Sequence, residues 1–266
     1  MTRILHLSDP HFGTERPQVI NALRRLAGEL APNCLVLSGD ITQRARPSQF
    51  KAARNFVDSL AVHRVLAIPG NHDIALFNPF KRVFFPYRDY RKHFGATESV
   101  IDEPGMLITG VNTTRRYRHI HGEVSASQID GVANRLRQAS AAQLRIVVTH
   151  QPAWVVREQD EVNRLRGNEA ALRAWSGAGA DLVLGGHIHL PYVAPMHEHL
   201  AGLQRPLWVV QAGTAVSSRL RAEADNSVNL IEHRASMNIC TITRWDYRPA
   251  TDAFAAVHET TLRLAR

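Results

Sequence analysis

The 266 residues are 44% hydrophobic and 21% charged, with 16 Gly and 13 Pro, a balance that excludes a disordered, collagen-like or disulfide-scaffold chain. Lys and Arg (32) exceed Asp and Glu (24) by +8, which permits phosphate, nucleic-acid or membrane partners, but the cations are spread along the chain and select none of them. No apolar run reaches the roughly 18 residues of a spanning helix, and Cys34 and Cys240 are too few for a framework of bridges, so both read as reduced, buried thiols of a cytoplasmic protein.

The first elements alternate. Residues 3–8, 34–38 and 64–68 are brief runs rich in Val, Leu and Ile and read as strands. Between them, residues 18–30 and 48–60 carry apolar side chains at helical spacing, which implies parallel pairing with right-handed crossovers. The stretch 75–94 interrupts this order with seven aromatics (Phe77, Phe80, Phe84, Phe85, Tyr87, Tyr90, Phe94) and five cations, and is expected to be a lid or a helical packing insertion. Strands are then predicted at 106–111, 144–149 and 182–184, with helices at 127–138 and 169–176, the second capped by Asn168. From Pro206 the helices stop, and runs at 207–211, 227–232, 238–245 and 254–259 predict a second, antiparallel sheet packed on the first. No linker divides residues 1–266, which read as one domain.

Histidine carries the functional signal. Five of the 14 follow predicted strands beside Asp, Asn or Gly: Asp9-Pro10-His11, Gly70-Asn71-His72-Asp73, Thr149-His150 and Gly186-His187-Ile188-His189, joined by Gly39-Asp40. In an open parallel sheet ligands gather beyond the carboxyl ends of the strands, and all these groups fall on that edge. Asp9, Asp40 and Asn71 are each 31 residues apart, about one βαβ unit, so three neighbouring strands deliver them to equivalent positions. The preceding glycines are expected to let the chain turn sharply there. Two carboxylates, one amide oxygen and four imidazoles are too many donors for one ion and enough for two. The thiolate-free set favours manganese or iron, with zinc, nickel and cobalt as alternatives, and Asp40, on the middle strand, suits a bridge between the two.

Together these motifs, spanning residues 9–189, resemble the calcineurin-like metallophosphoesterase superfamily, most closely its bacterial class III cyclic-nucleotide phosphodiesterase and glycerophosphodiesterase group. His121-Gly122-Glu123 and Leu165-Arg166-Gly167-Asn168 are similar to that group as well. The resemblance implies an α/β fold, a four-layer α/β/β/α sandwich. It also implies that Asp9, His11 and His189 hold one metal and Asn71, His150 and His187 the other, with Asp40 shared and His72 the acid beside the scissile bond. The chain departs from many relatives in having Gln151, where they place a second His after the His150 position.

The chemistry expected of such a centre is metal-assisted phosphoester hydrolysis, with His72 donating to the leaving oxygen and Asp73 orienting it. Small phosphodiesters are the expected substrates. A UDP-diacylglucosamine-type lipid pyrophosphatase is the alternative, disfavoured because that branch commonly has Arg where this chain has His72. A nuclease is a weaker alternative, because those relatives carry a further capping domain; a homo-oligomer is left open. Arg44, just beyond Asp40, is a candidate substrate contact, as are Arg115, Arg116, Arg118 and His119. His6, His63, His93 and His258 read as hydrogen-bonded core, and His197-Glu198-His199 as a solvated loop.

Overall fold

The computed structural model describes residues 1–76, 78–221 and 224–265, so Phe77 of the aromatic stretch lies outside the described residues. Strands β1 (Thr2–Leu7), β2 (Cys34–Ser38) and β3 (Arg64–Ile68) are joined by helices α1 (Pro17–Leu30) and α2 (Pro47–Ser59). Each helix starts on a proline, whose missing N–H costs nothing in a first turn. Val19, Ala22, Leu23 and Leu26 form the buried stripe of α1, and Phe50, Ala53, Phe56 and Val57 that of α2. The three strands pair in parallel, with Leu7 opposite Leu37 and Ser38 opposite Ile68, so their carboxyl ends align.

Past α3 (Pro79–Phe84) and α4 (Arg88–Phe94), the chain builds β4 (Val100–Glu103), β5 (Met106–Gly110), α5 (Ala126–Arg137), β6 (Leu144–Val148), α6 (Asn168–Gly177) and β7 (Leu182–Gly185). It continues through β8 (Tyr192–Pro195), α7 (Met196–His199), β9 (Trp208–Gln211), β10 (Ser227–Arg234), β11 (Ile239–Arg248) and β12 (Ala253–Arg263). Two six-stranded sheets result, ordered β12-β11-β10-β1-β2-β3 and β4-β5-β6-β7-β9-β8.

Strand alternation sorts the core into layers. Ile4, Val36, Leu66 and Ile68 of the first sheet face Ile108, Ile146, Val148 and Leu184 of the second. Their neighbours Leu5, Leu7, Leu35 and Leu37 point outward onto α1 and α2, and Val147, Val183 and Val209 onto α5 and α6. The layers therefore run α/β/β/α.

The tail is placed differently from the expectation. It does not form the second sheet: β10 pairs antiparallel with β1 and carries β11 and β12 onto the first sheet, while β9 joins the second in parallel beside β7. Alternation shows that a strand has two faces, not which sheet it extends. Asn168 does not cap α6 either. Gly167, at φ 83°, precedes the helix, and the Asn168 amide donates to Leu165 O at 2.6 Å.

The stretch 75–94 divides in two. Tyr90 of α4 is buried in an edge-on contact with Phe50, with ring centroids 6.3 Å apart, whereas α3 buries none of its residues. Cys34 and Cys240 are buried and unbridged. Of the four histidines expected in the core, His6 is buried and bonds Ser38 Oγ at 2.9 Å, but His63 and His258 are exposed. His197 and His199 lie on α7 against Trp208 and Trp154 rather than in a loop.

Candidate metal centre

All seven predicted ligands converge, but over the ends of two sheets rather than one. Asp9, His11, Asp40 and Asn71 follow β1, β2 and β3; His150, His187 and His189 follow β6 and β7 of the facing sheet. Five of them leave ordinary backbone geometry: Asp9, His11, Asp40, His187 and His189 have φ between 42° and 73°. Left-handed conformations in residues with side chains cost energy and persist only where the surroundings enforce them. Here they turn side chains off the strand axis into one cleft. Of the preceding glycines, Gly39 supplies the expected turn at φ 100°, whereas Gly70 and Gly186 act by making room. A Cβ on Gly70 would lie 2.1 Å from Asp40 N, and one on Gly186 1.8 Å from Ser8 Oγ, although neither residue has a positive φ.

Two donor clusters share Asp40. Asp9 Oδ1 faces His189 Nε2 at 3.3 Å and His11 Nε2 at 3.8 Å, and those two nitrogens are 3.1 Å apart. Asp40 Oδ2 lies 3.7 Å from His11 Nε2, whereas Oδ1 is turned toward His150 Nε2 at 3.3 Å. Asn71 Oδ1 is 3.1 Å from that same His150 nitrogen, and His187 completes the second cluster. Backbone carbonyls fix the rings: His150 Nδ1 donates to Ser38 O and His189 Nδ1 to Arg219 O, which frees each Nε2 to ligate.

The residues fit a pair of divalent cations. Asp9 Oδ1 is buried with no hydrogen bond of ordinary geometry among the described residues, and His189 and His11 turn ring nitrogens toward it at 3.3 and 3.8 Å, a donor set suited to a shared cation. Burial alone would raise the Asp9 and Asp40 carboxyls, but His189 beside the first and His150 beside the second hold both below the usual carboxylate range. Burial pulls His150 down as well, yet Asp40 lifts it to about 9; Asp9 likewise lifts His189. Burial pushes His11 and His187 down to about 3. The carboxylates are thus set beside imidazoles whose protons an incoming cation would displace.

His72 lines the same cleft, and its Nδ1 donates to Gln43 O at 3.0 Å, leaving Nε2 for a substrate. Its backbone N donates to Asp40 Oδ1 at 2.8 Å. Asp73 corrects the expectation that it orients that ring. Oδ1 accepts from Thr42 N and Oγ1, and Oδ2 from Ile41 N and Gly70 N, all at 2.8–3.0 Å. It fixes the loop that presents Asp40, while burial and the Asp40 charge push its own carboxyl up to about 6. Arg44 is exposed and lines, with His72 and His119, a side cavity of about 120 Å³. Arg115 and Arg118 pair with Glu123 instead of pointing freely at the cleft. Gln151 accepts from Thr113 Oγ1 and donates to Ile120 O, tying loop 112–122 to the end of β6. The stretches around Glu123 and Arg166 bridge each other in parallel.

The cleft proper, about 420 Å³, also contains Arg219 and Arg221, which no motif announced. Arg219 Nη1 donates to Gln43 Oε1, and Arg221 Nη1 to Asp160 Oδ1, both at 3.0 Å. They come from the loop after β9, brought to the cleft only by the fold.

Residues 2–191 match the family model of calcineurin-like phosphoesterases. A cAMP/cGMP dual specificity phosphodiesterase of Mycobacterium tuberculosis is 26% identical over 201 residues, covering 70% of this chain and 61% of that protein. The glycerophosphodiester phosphodiesterase GpdQ of Enterobacter lignolyticus is 31% identical over 81 residues, 26% of this chain and 29% of that one. The chain thus spans less than two thirds of the length of the curated relatives it matches. A dimetal phosphatase from Danio rerio superposes with a TM-score of 0.67 at 10% identity, covering 99% of both chains, a likeness of fold. With the motif residues gathered at one cleft and the family model covering them, the chain belongs to the calcineurin-like phosphoesterase family.

Proposed function

We propose that this chain is a binuclear metal-dependent phosphodiesterase acting on small phosphodiesters, either cyclic nucleotides or glycerophosphodiesters. The supporting observation is the split of Asp40, whose two carboxylate oxygens face different donor clusters. Asp9, His11, Asp40 and His189 would hold one cation, and Asp40, Asn71, His150 and His187 the second, with manganese or iron the best match to these nitrogen and oxygen donors. When bound, such cations supply Lewis acidity toward phosphoryl oxygens and a water of lowered pKa.

The chain's own residues account for the remainder. Arg219, whose guanidinium bonds the neutral Gln43 amide, gives the cleft mouth a positive charge for an anionic ester, while Arg221 beside it is paired with Asp160. His72, anchored through Nδ1, presents Nε2 to the leaving oxygen and donates there when its ring carries both protons. Asp73 holds the backbone of 41–42 and 70, and so the angle at which Asp40 and His72 meet. The volume lies within the ~300–1,000 Å³ usual for small-molecule sites.

The purified chain, supplied with manganese, should hydrolyse at least one member of a panel of cyclic nucleotides, glycerophosphodiesters and a chromogenic bis-ester faster than a phosphomonoester or a UDP-sugar lipid. Turnover of the lipid or the monoester alone, or of no substrate with any divalent cation, would contradict the assignment.

A further inference from the structure

The apolar side chains left in solvent are not scattered. Thirteen large apolar residues stand exposed among the described residues, and ten fall in the segments 76–94, 115–123, 156–166 and 219–221, under a sixth of the chain. The densest part is α3 and the loop beside it: Phe80 is 66% exposed, Phe84 62% and Tyr117 68%, with Val83, Phe85 and Ile120 among them. A short helix that buries nothing, with both its phenylalanines in water, stabilises no core of its own.

The four segments are linked to one another beside the metal cleft, and two of them line it. Arg82 donates to the carbonyls of Arg116 and Arg118, and Arg116 to that of Val83, each at 2.6 Å, which fastens α3 to the loop. His121 Nδ1 bonds Val162 O at 3.0 Å, and Arg221 reaches Asp160, joining the third and fourth segments. Ile120 and Arg221 both line the cleft itself. A groove of about 550 Å³ combines Phe84, Phe85, Pro86 and Tyr87 with Arg88 and Arg91.

The same segments hold thirteen Arg and Lys against five Asp and Glu, a net charge as large as that of the whole chain. This charge narrows the choice of partner. A second copy presenting the same face would set two strongly positive surfaces against each other. A nucleic acid would match the charge but leave aliphatic side chains such as Val83 and Ile120 uncovered. An anionic bilayer offers phosphate to the arginines and an acyl boundary to the phenylalanines.

We infer that this patch docks the protein on an anionic lipid surface, with Phe80, Phe84 and Phe85 entering the acyl boundary and the metal cleft turned toward the headgroups. The inference does not depend on which phosphodiester is hydrolysed, since docking requires no turnover.

Co-sedimentation with vesicles of phosphatidylcholine alone, and of phosphatidylcholine mixed with phosphatidylglycerol, tests it. The full chain should partition onto the mixed vesicles at least tenfold more strongly than onto the neutral ones, and should lose most of that binding as salt rises from about 0.1 to about 0.5 M. Removing two inserted rings, in Phe80→Ser with Phe84→Ser, should weaken partitioning about a hundredfold with an unchanged thermal unfolding midpoint. Reversing charge, in Arg88→Glu with Arg91→Glu, should remove the preference for the anionic lipid. The inference fails if the chain ignores mixed vesicles at low salt, or if the phenylalanine variant binds them as well as the parent. It fails equally if the parent is a dimer that the same variant dissociates without binding vesicles, or if a single-stranded oligonucleotide is bound and vesicles are not.

Discussion

The cleft and the segments beside it depart from the ordinary partition of side chains in opposite directions. At the strand ends Asp9, His11, Asp40, Asn71 and His150 are buried, held by backbone donors and acceptors and by left-handed residues. Along α3, Phe80 and Phe84 stand in water, touching each other and Phe85 but buried against no part of the core. Buried charges cost several kcal/mol each unless compensated, and exposed aromatic rings forgo about as much by staying wet. Each region is therefore incomplete without something the chain does not supply: cations in the first, an apolar and anionic surface in the second. The rigid scaffold is spent on the first. Both sheets and the five loops after β1, β2, β3, β6 and β7 fix the cleft, whereas α3 is held mainly by three guanidinium hydrogen bonds to or from the neighbouring loop.

That contrast can be broken most severely at Asp40. Asp40→Asn keeps the shape but removes the charge facing both clusters, so turnover should fall at least about a thousandfold and bound metal should drop from two ions to one or none, by elemental analysis. Near-parental activity with two ions would separate catalysis from the shared carboxylate. His72→Ala divides the cleft more finely. The rate should fall about 10²- to 10⁴-fold while both ions remain, since His72 lines the cleft without belonging to either set of proposed ligands. Loss of metal in that variant would instead make His72 a ligand, a role its position near His11 and Asp40 allows.

The smallest effect lies behind the cleft. His6 is buried, and burial pushes it down to about 3, well below its ordinary 6.5. The proton therefore favours the unfolded chain. Its contribution is fully present above pH 6.5 and is lost as pH falls toward 3, by at most ~1.4 kcal/mol per pH unit. Denaturant melts of manganese-loaded protein at pH 7 and pH 5 should show a smaller acid loss in His6→Gln than in the parent. Equal losses would mean that His6 is not held neutral.

The two regions also differ in how far the sequence exposes them. Asp9, Asp40 and Asn71 were legible because crossover helices of ordinary length impose a near-constant spacing, and β2 and β3 begin and end where their apolar runs do. His150, His187 and His189 were legible as residues, but their origin in the facing sheet was not, because alternation carries no information about sheet membership. For the same reason alternation does not show which sheet the antiparallel tail extends. β4 and β8, four-residue strands at the edges of the second sheet, are too short for a periodic signal. Arg219 and Arg221 follow no motif, since the fold alone brings them to the cleft. Asp73 shows a further limit: its neighbour in sequence is His72, yet its four hydrogen bonds go to Gly70, Ile41 and Thr42.

The most direct test of the shared-carboxylate centre is anomalous diffraction from a crystal grown with manganese. Two peaks about 3.5–4 Å apart should straddle Asp40, one beside Asp9, His11 and His189 and the other beside Asn71, His150 and His187. A single peak, or peaks that Asp40 does not touch, would contradict it.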